Sequence, residues 1–304
     1  LIFNFFISLY LYYNIEMYNE DMIHKTEKRH TMRYNKTTLR YWTYGNPKKP
    51  VLILVHGITG THRGFYKIIP HLVDNFFIIA PDLPGFGEST TDQSLSISCH
   101  AEILNSFIEN LKLKTKPFIV GHSYGTLVVA QAVHIAPELS QPRTMLISPV
   151  PSAVKLFEKR QIGRLGVELH YTLGKLGRVG NWWLKRKIIA RIITITLITA
   201  KNPELRKEIH QEHFRNLAYI KNPKELHRLF KEIHKSGVDK LAPHIKKKIL
   251  IVTGTHDSST PFHEQKRLEK RLKDGALLSI KQVGHLTHYE SPRSLAKAMI
   301  VFFK

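Results

Sequence analysis

A strand, a tight turn and a helix around Ser123 constrain the fold more than any other stretch of this 304-residue chain. The apolar run at residues 118–120 predicts a buried strand, and the apolar segment at 126–136 predicts a helix that ends before Pro137. The turn between them is Gly121-His122-Ser123-Tyr124-Gly125, a G-x-S-x-G sequence. A serine at so sharp a turn is predicted to hold its hydroxyl clear of the sheet, beside backbone N–H groups of the helix N-terminus, and the small residues around it let strand and helix approach closely.

Buried-strand patterns alternate with helical patterns along most of the chain. Continuous apolar runs at residues 51–55, 76–80 and 249–253 suit parallel strands that are covered on both faces. Helical periodicity lies between and after them, as at residues 62–73 and 292–303. This alternation predicts an α/β fold whose mostly parallel sheet has helices on both faces.

The alternation stops after Pro151 and resumes at Ile249. Residues 152–247 show helical periodicity and no convincing strand pattern. They hold 22 Lys and Arg against 8 Asp and Glu, and so carry +14 of the chain's formal charge of +22. Residues 36–151 and 248–304 are therefore predicted to form one core, and residues 152–247 a helical cap inserted into it.

Residues 1–35 are predicted to be a leader outside the core. Residues 1–13 are apolar and aromatic, lack the flanks of a signal peptide and are too short to span a bilayer. They fit a truncated anchor, a peripheral aromatic anchor, or an upstream extension of the reading frame with translation starting at Met17, Met22 or Met32, and we favour the last.

The cysteine content bears on the compartment. The single cysteine, Cys99, excludes an intramolecular disulfide framework and suits a reducing environment. The expected location is therefore the cytoplasm, with membrane association if residues 1–13 form an anchor.

Three side chains suited to nucleophilic catalysis follow predicted strands. Ser123 needs a base to take its proton, and that base needs an orienting carboxylate. Asp257 follows the strand at 249–253, and His285 follows the last strand after a glycine. Taken singly, Asp257 could be a helix N-cap and His285 a turn histidine. Since loops after parallel strands converge at one sheet edge, their joint occurrence in the order Ser, Asp, His predicts a catalytic triad.

Two backbone N–H groups are predicted to form an oxyanion hole. One belongs to Tyr124, next to the nucleophile, and the other to Ile58, with Thr59 as the alternative. His56 begins the second loop and is a rival candidate for the base, but we expect it to orient that loop through hydrogen bonds. Asp82 is expected to hold the loop after its own strand rather than to act as a second acid.

With these motifs the chain resembles the α/β-hydrolase fold superfamily over about residues 36–304, interrupted by the cap. The resemblance implies an eight-stranded, mostly parallel sheet and a serine hydrolase without a cofactor. A serine at position 123 disfavours the aspartate chemistry of haloalkane dehalogenases and soluble epoxide hydrolases, and the cysteine chemistry of the dienelactone type. The matching segments are His56-Gly57-Ile58-Thr59-Gly60, Pro81-Asp82-Leu83-Pro84-Gly85-Phe86-Gly87-Glu88-Ser89, the turn around Ser123, Gly254-Thr255-His256-Asp257 and Gly284-His285.

The predicted function is cleavage of a carboxylic ester through an acyl-enzyme intermediate. Hydrolysis of a C–C bond in a vinylogous diketone, or of an amide or peptide in the manner of proline iminopeptidase, is the alternative on the same scaffold. The basic cap has no acidic cluster to bind a free amine, which disfavours the peptidase. A non-enzymatic sensor of a small ligand is a further hypothesis, because such a protein can retain the triad.

Charge and composition bear on the partners. The basic residues are dispersed and carry no recognition signature, so a specific nucleic-acid partner is not expected. The apolar and basic stretch at 182–197 could line an acyl pocket, contact a membrane or pack on the core, and we favour packing. The expected ligand is a small or amphiphilic ester. No metal site is predicted, because C-x-x-C and H-E-x-x-H spacings are absent, and most of the 18 histidines are expected at the surface.

Overall fold

A computed structural model describes residues 26–153, 172–173, 175–220 and 222–304. The hypotheses about residues 1–13 and about starts at Met17 and Met22 lie outside the described residues, as does most of the first fifth of the expected cap.

The described residues form one nine-stranded sheet in the order β1-β2-β4-β3-β6-β7-β8-β9, with β5 beside β2. The six strands from β4 to β9 in this order are parallel, and β2 is antiparallel to each of its neighbours. This confirms the mostly parallel sheet of the expected fold. The strands are β1 Lys28–Tyr34, β2 Thr37–Tyr44, β3 Val51–Val55, β4 Phe77–Pro81, β5 Thr90–Thr91, β6 Phe118–His122, β7 Arg143–Ile147, β8 Lys248–Gly254 and β9 Gly275–Ile280.

The expected count of eight strands differs from the structure because of β5. This strand has only two residues and pairs with Thr37 and Thr38 at the start of β2. A strand so short leaves no periodic pattern in the sequence.

The expectation that all of residues 1–35 lie outside the core is wrong at β1. This strand pairs with β2 along its whole length, and Asn35 turns the chain between them with a φ of 49°. Most of its side chains are exposed because it is an edge strand, so backbone pairing rather than an apolar face holds it. Its polar sequence therefore resembled a loose leader.

Helices cover both faces of the sheet, which alternating side chains of β3 illustrate. Ile53 and Val55 pack in one apolar cluster, whereas Leu52 and Leu54 pack in another on the opposite face. All four side chains are fully buried. The helices are α1 Ile97–Asn110, α2 Tyr124–Ile135, α3 Gly177–Leu184, α4 Lys187–Leu197, α5 Pro203–Ala218, α6 Pro223–His234, α7 Phe262–Arg271, α8 Thr287–Glu290 and α9 Pro292–Phe303.

The single helix predicted at residues 62–73 is wrong. The structure has two short 3₁₀ turns there, His62–Phe65 and Ile69–His71. Pro70 has no amide hydrogen for a continuing helical bond, which explains the interruption.

Helices α3 to α6 lie between β7 and β8, where the sequence predicted helices. Asn202 and Asn222 cap α5 and α6 by accepting hydrogen bonds from the first-turn amides, and a proline follows each of them. After α6, the amides of Val238 and Asp239 bond the carbonyls of Val150 and Pro151, which brings the chain back to β8. Across the described part of the chain, no helix combines the length and apolarity needed to cross a bilayer.

Candidate active site

Ser123 lies at the turn between β6 and α2, at the carboxyl edge of the parallel strands. Its backbone has φ 51° and ψ −118°, a conformation that non-glycine residues rarely adopt. Its amide donates to the carbonyl of Ile147 at 2.9 Å, and its carbonyl accepts from the amide of Thr126 at 2.9 Å. These bonds hold the strained turn, and the serine side chain is only half-buried.

His285 joins Ser123 to Asp257 across the sheet edge. Its Nε2 lies 2.9 Å from Oγ of Ser123, and its Nδ1 lies 2.8 Å from Oδ2 of Asp257. A carboxylate only accepts, so Nδ1 carries a proton and Nε2 is left to accept one from the serine hydroxyl. The structure thus brings together three residues that are 28 and 162 positions apart in sequence.

Asp257 is held by its own loop as well as by His285. Its Oδ1 accepts from the amides of Ser259 and Thr260 at 2.8 Å each, and its Oδ2 accepts from the Thr260 hydroxyl at 2.6 Å. Burial alone would raise the pKa of Asp257, but its electrostatic interaction with the His285 ring and these hydrogen bonds hold it below its ordinary value. The alternative that Asp257 is a helix N-cap is wrong, because Pro261 is the residue before helix α7 and Asp257 bonds the amides of the preceding turn instead.

The two loops that carry Asp257 and His285 are in backbone contact. A methyl group on Gly254 would lie 2.1 Å from the carbonyl oxygen of Val283, so only glycine permits this approach. The amide of His256 donates to the same carbonyl at 2.9 Å. The distance between histidine and aspartate therefore depends on the backbone as well as on the side chains.

The candidate oxyanion donors come from two loops beside Ser123. Tyr124 is the first residue of α2, so its N–H has no acceptor within the helix. Ile58 lies in a turn that the amide of Gly60 closes on the carbonyl of Gly57 at 3.0 Å, and Thr59 has a φ of 53° there. A methyl group on Gly57 would lie 3.2 Å from Cβ of Ser123, which brings this turn directly against the serine.

The hydrogen bonds of the His56 ring and the Asp82 carboxylate go to the backbone and ring of nearby loop residues rather than to Ser123. His56 donates from Nδ1 to the carbonyl of Gly57 at 2.8 Å, and its Nε2 accepts from the amide of Leu83 at 2.9 Å. Asp82 is fully buried and accepts from the amide and ring of His62, each at 2.8 Å. Both ring nitrogens of His56 are engaged, so its geometry fits an orienting role rather than that of a base.

The expectation that most histidines lie at the surface fails around the site. His122, whose ring is buried under the turn, donates from Nε2 to the carbonyl of His285 at 3.2 Å. Burial lowers its pKa to about 3, and burial also holds the pKa of His288 well below its usual value. The rings of His122 and His288 meet edge to face at 4.2 Å. Single-residue composition cannot reveal that neutral histidines pack here as core side chains.

Two further contacts support the site, and neither was predicted from the sequence. The hydroxyl of Tyr124 lies 2.6 Å from Nδ1 of His100, whose Nε2 donates to the carbonyl of Pro84 at 2.9 Å. The hydroxyl of Thr260 bonds Asp257, and its position three residues after an aspartate was the available signal. His100 is on helix α1, 24 positions before Tyr124 in the sequence, and no local pattern connects the two residues.

Comparisons with known proteins agree on the fold. A family model described as alpha/beta hydrolase fold matches residues 50–164, and one described as TAP-like protein matches residues 231–304. The Uncharacterized hydrolase YugF of Bacillus subtilis (strain 168) is 27% identical over 270 residues, which are 87% of this chain and 93% of that protein.

Solved structures with different reported activities share the architecture. A thermophilic esterase from Thermogutta terrifontis matches with a TM-score of 0.72 at 19% identity, over 91% of this chain and 98% of that one. The 2-hydroxy-6-oxo-6-phenylhexa-2,4-dienoate hydrolase (BphD) from Rhodococcus sp. strain RHA1 matches with a TM-score of 0.70 at 22% identity, over 91% and 99%. The shared fold therefore does not determine the substrate, which depends on the residues of the site.

Proposed function

The chain belongs to the α/β-hydrolase fold superfamily, and on that premise we propose that it is a serine hydrolase that cleaves a carboxylic ester through an acyl-enzyme intermediate. One observation carries this proposal: His285 is within hydrogen-bond distance of both Ser123 and Asp257, and the serine is in a strained turn at the sheet edge. A nucleophile, a base and an orienting carboxylate in this geometry are the equipment for acyl transfer.

The proposed reaction has two half-steps. Nε2 of His285 takes the proton of Ser123 as Oγ bonds to the ester carbonyl carbon, and Asp257 stabilises the resulting imidazolium. The carbonyl electrons move onto oxygen, which accepts from the amides of Tyr124 and Ile58. Collapse breaks the C–O bond, and the alcohol leaves with the proton from His285. Water then attacks the acyl-enzyme with the same histidine as base, releasing the acid and restoring Ser123.

The two proposed oxyanion donors differ in what supports them. Tyr124 begins a helix, so the helix dipole adds to the attraction of its amide for negative charge. Ile58 lies in the turn against Ser123, and the turn's own hydrogen bond uses Gly60 rather than Ile58. Each donor is expected to lower the barrier by about 3 kcal/mol.

We further propose that helices α3 to α6 are the core of a cap over this site. These helices and the link between α4 and α5 contact loops that flank it: Asn216 of α5 accepts from Thr61 at 3.3 Å, and the hydroxyl of Thr199 in the link donates to Glu290 at 2.5 Å. Glu225 of α6 also accepts from the amide of Leu95 at 2.9 Å. A cap of this kind selects the acyl group, and its apolar side chains favour an amphiphilic ester over a highly polar one.

The direct test is covalent labelling combined with turnover. A fluorophosphonate probe should label the purified full-length chain at Ser123, and short-chain p-nitrophenyl esters should be hydrolysed with a burst equal to the enzyme concentration. Ser123→Ala should remove both signals while its circular dichroism and unfolding midpoint stay unchanged. An unlabelled Ser123 in folded protein, together with no ester turnover, would overturn the proposal.

A profile over substrates separates the ester reaction from its rivals. An ester hydrolase should respond to acyl-chain length and leave matched amides and vinylogous diketones almost untouched. Faster cleavage of the diketone than of every ester would transfer the assignment to C–C bond hydrolysis.

A further inference from the structure

Helices α3 and α4, with Leu176 just before them, expose an unusual number of large apolar side chains. Six of the ten large apolar residues that are most exposed in the described ranges lie within residues 176–197, and they are 40 to 61% exposed. Trp182 and Trp183 are 55% and 43% exposed. We call this surface the Trp182 face; its apolar members are Leu176, Val179, Trp182, Trp183, Ile188 and Ile195.

Packing on the rest of the protein explains only the opposite side of α4. Ile189, Ala190 and Thr194 are buried, and the hydroxyl of Thr194 lies 2.9 Å from Nδ1 of His213 on α5. Ile188 and Ile195 are seven residues apart, which places them on one side of the helix, and both are exposed. Helix α4 is therefore apolar on two sides, although a helix that only covers a core needs one.

The charged residues of the segment that carries the Trp182 face all have one sign. Residues 175–197 contain six Lys and Arg and neither Asp nor Glu. Arg186 and Arg191 are exposed, and the guanidinium of Arg186 stacks 3.5 Å from the ring centre of Trp182. The face therefore combines indole rings and aliphatic side chains with fixed positive charge.

We propose that the Trp182 face docks on an anionic lipid bilayer. Indole rings favour the interface between water and lipid, aliphatic side chains favour its apolar edge, and arginines attract acidic headgroups. A second copy of this chain would bring the same six positive charges against the first, so the charge favours lipid over self-association. Docking requires no chemistry at Ser123.

Docking on this face would also bring a bilayer beside the candidate site. Ile198, the residue after α4, packs in one cluster with Leu286, the neighbour of His285. Helix α4 thus contacts lipid on one side in this proposal, and its end contacts the loop of the candidate base.

Vesicle sedimentation tests the proposal on the full chain carrying Ser123→Ala, which prevents any cleavage of lipid. Binding to vesicles of phosphatidylcholine with phosphatidylserine should exceed binding to phosphatidylcholine alone by roughly 100-fold and should weaken as salt rises. Equal binding to both vesicles, or none to either, would overturn it.

Two pairs of variants locate the contact. Two double variants should each weaken vesicle binding at least roughly tenfold: Trp182→Ser with Ile188→Ser, and Arg186→Glu with Arg191→Glu. The matched controls are Ile135→Ser with Val301→Ser, which alter apolar side chains 48% and 69% exposed elsewhere, and Lys114→Glu with Lys273→Glu, which change the net charge equally. Equal losses in the face variants and their controls would contradict a specific docking surface.

Tryptophan fluorescence supplies a readout that does not depend on mutation of charge. The chain has three tryptophans, and Trp42 is buried against His62. Brominated lipids should therefore quench Trp182 and Trp183 and spare Trp42, and replacing both exposed tryptophans by phenylalanine should abolish the quenching. Two other outcomes would overturn the lipid proposal. If sedimentation velocity shows a dimer that the face variants dissociate, and the protein does not bind vesicles, the face belongs to a second copy of the chain. The same conclusion against lipid follows if the protein binds polyglutamate but not vesicles.

Discussion

A methyl group on the α-carbon of Gly125 would lie 2.5 Å from the carbonyl oxygen of Val55, so helix α2 begins in backbone contact with the end of β3. The same methyl would lie 2.6 Å from the carbonyl oxygen of His56. The second glycine of the G-x-S-x-G turn is thus the residue that brings the loop of Ile58 beside Ser123. The turn and the proposed oxyanion donors depend on one close approach.

Gly125→Ala is expected to lower the free energy of unfolding by about 1–3 kcal/mol, because an added methyl must push apart two backbones. Ester turnover should fall further than stability accounts for, since the loop of Ile58 would move away from Ser123. Urea unfolding and kcat/KM check both effects. Gly64→Ala is the control, because its nearest neighbours would be side-chain atoms at 3.9 Å; equal effects in the two variants would refute this explanation.

Asp257→Asn is expected to reduce kcat by roughly 10⁴-fold with a small change in stability. The amide oxygen can still accept from Ser259 and Thr260, which keeps the turn. The amide nitrogen, however, would donate to Nδ1 of His285, so the ring would carry its proton on Nε2. A protonated Nε2 cannot accept the proton of Ser123. Asp82→Asn should lower stability instead, and an equal loss of kcat in both variants would contradict the separate roles.

Acid is expected to destabilise the fold through its buried histidines. The pKa of His122 is lowered from 6.5 to about 3 and that of His100 from 6.5 to about 4, in both cases by burial. The unfolded chain therefore binds more protons than the folded one below about pH 6.5, so stability is lost as the pH falls toward 4. At about pH 5, His122 and His100 should each lower the free energy of unfolding by about 2 kcal/mol relative to neutral pH.

Urea unfolding at neutral pH and at about pH 5 measures this loss. His122→Gln should remove its share of the pH dependence, whereas the exposed His134→Gln should leave the dependence unchanged. A stability that does not vary over this interval, or identical profiles for the two variants, would show that the histidines do not carry the effect. Burial would raise the pKa values of Asp82 and Asp257, but His62 and His285 lower them below their ordinary value. These two carboxylates therefore add a further loss of folding stability only below about pH 4.

Tyr124→Phe separates the side chain of this residue from its amide. The phenol hydroxyl donates to Nδ1 of His100 inside the core, so its removal leaves a buried acceptor without a partner and should cost about 1–3 kcal/mol. The backbone amide stays at the start of α2, and kcat should change less than threefold by the same argument. Thermal unfolding and steady-state kinetics make the comparison; a large fall in kcat at unchanged stability would mean that the hydroxyl itself contacts the substrate.

Local pattern was sufficient for the parts of this protein that local interactions determine. Apolar runs predicted β3, β4 and β8, and the terminal helix was predicted at its observed bounds, because burial on both sides of a sheet or one side of a helix leaves a periodic signature. The G-x-S-x-G turn predicted a serine at a sharp turn between strand and helix, because small residues there let the two elements approach closely. Strands β1 and β5 left no such signature, because they are held by backbone pairing with β2 rather than by an apolar face of their own.

Sequence pattern was enough to predict which residue types reach the sheet edge: Ser123, Asp257 and His285 each follow a strand, and parallel strands end on one side. The three-dimensional packing of the chain sets the distances of 2.8 and 2.9 Å that join them, since these depend on backbone approaches such as that of Gly254 to Val283. The same packing buries His122 and His100 as neutral side chains and leaves Trp182 exposed, because burial depends on what the rest of the chain places against each side chain.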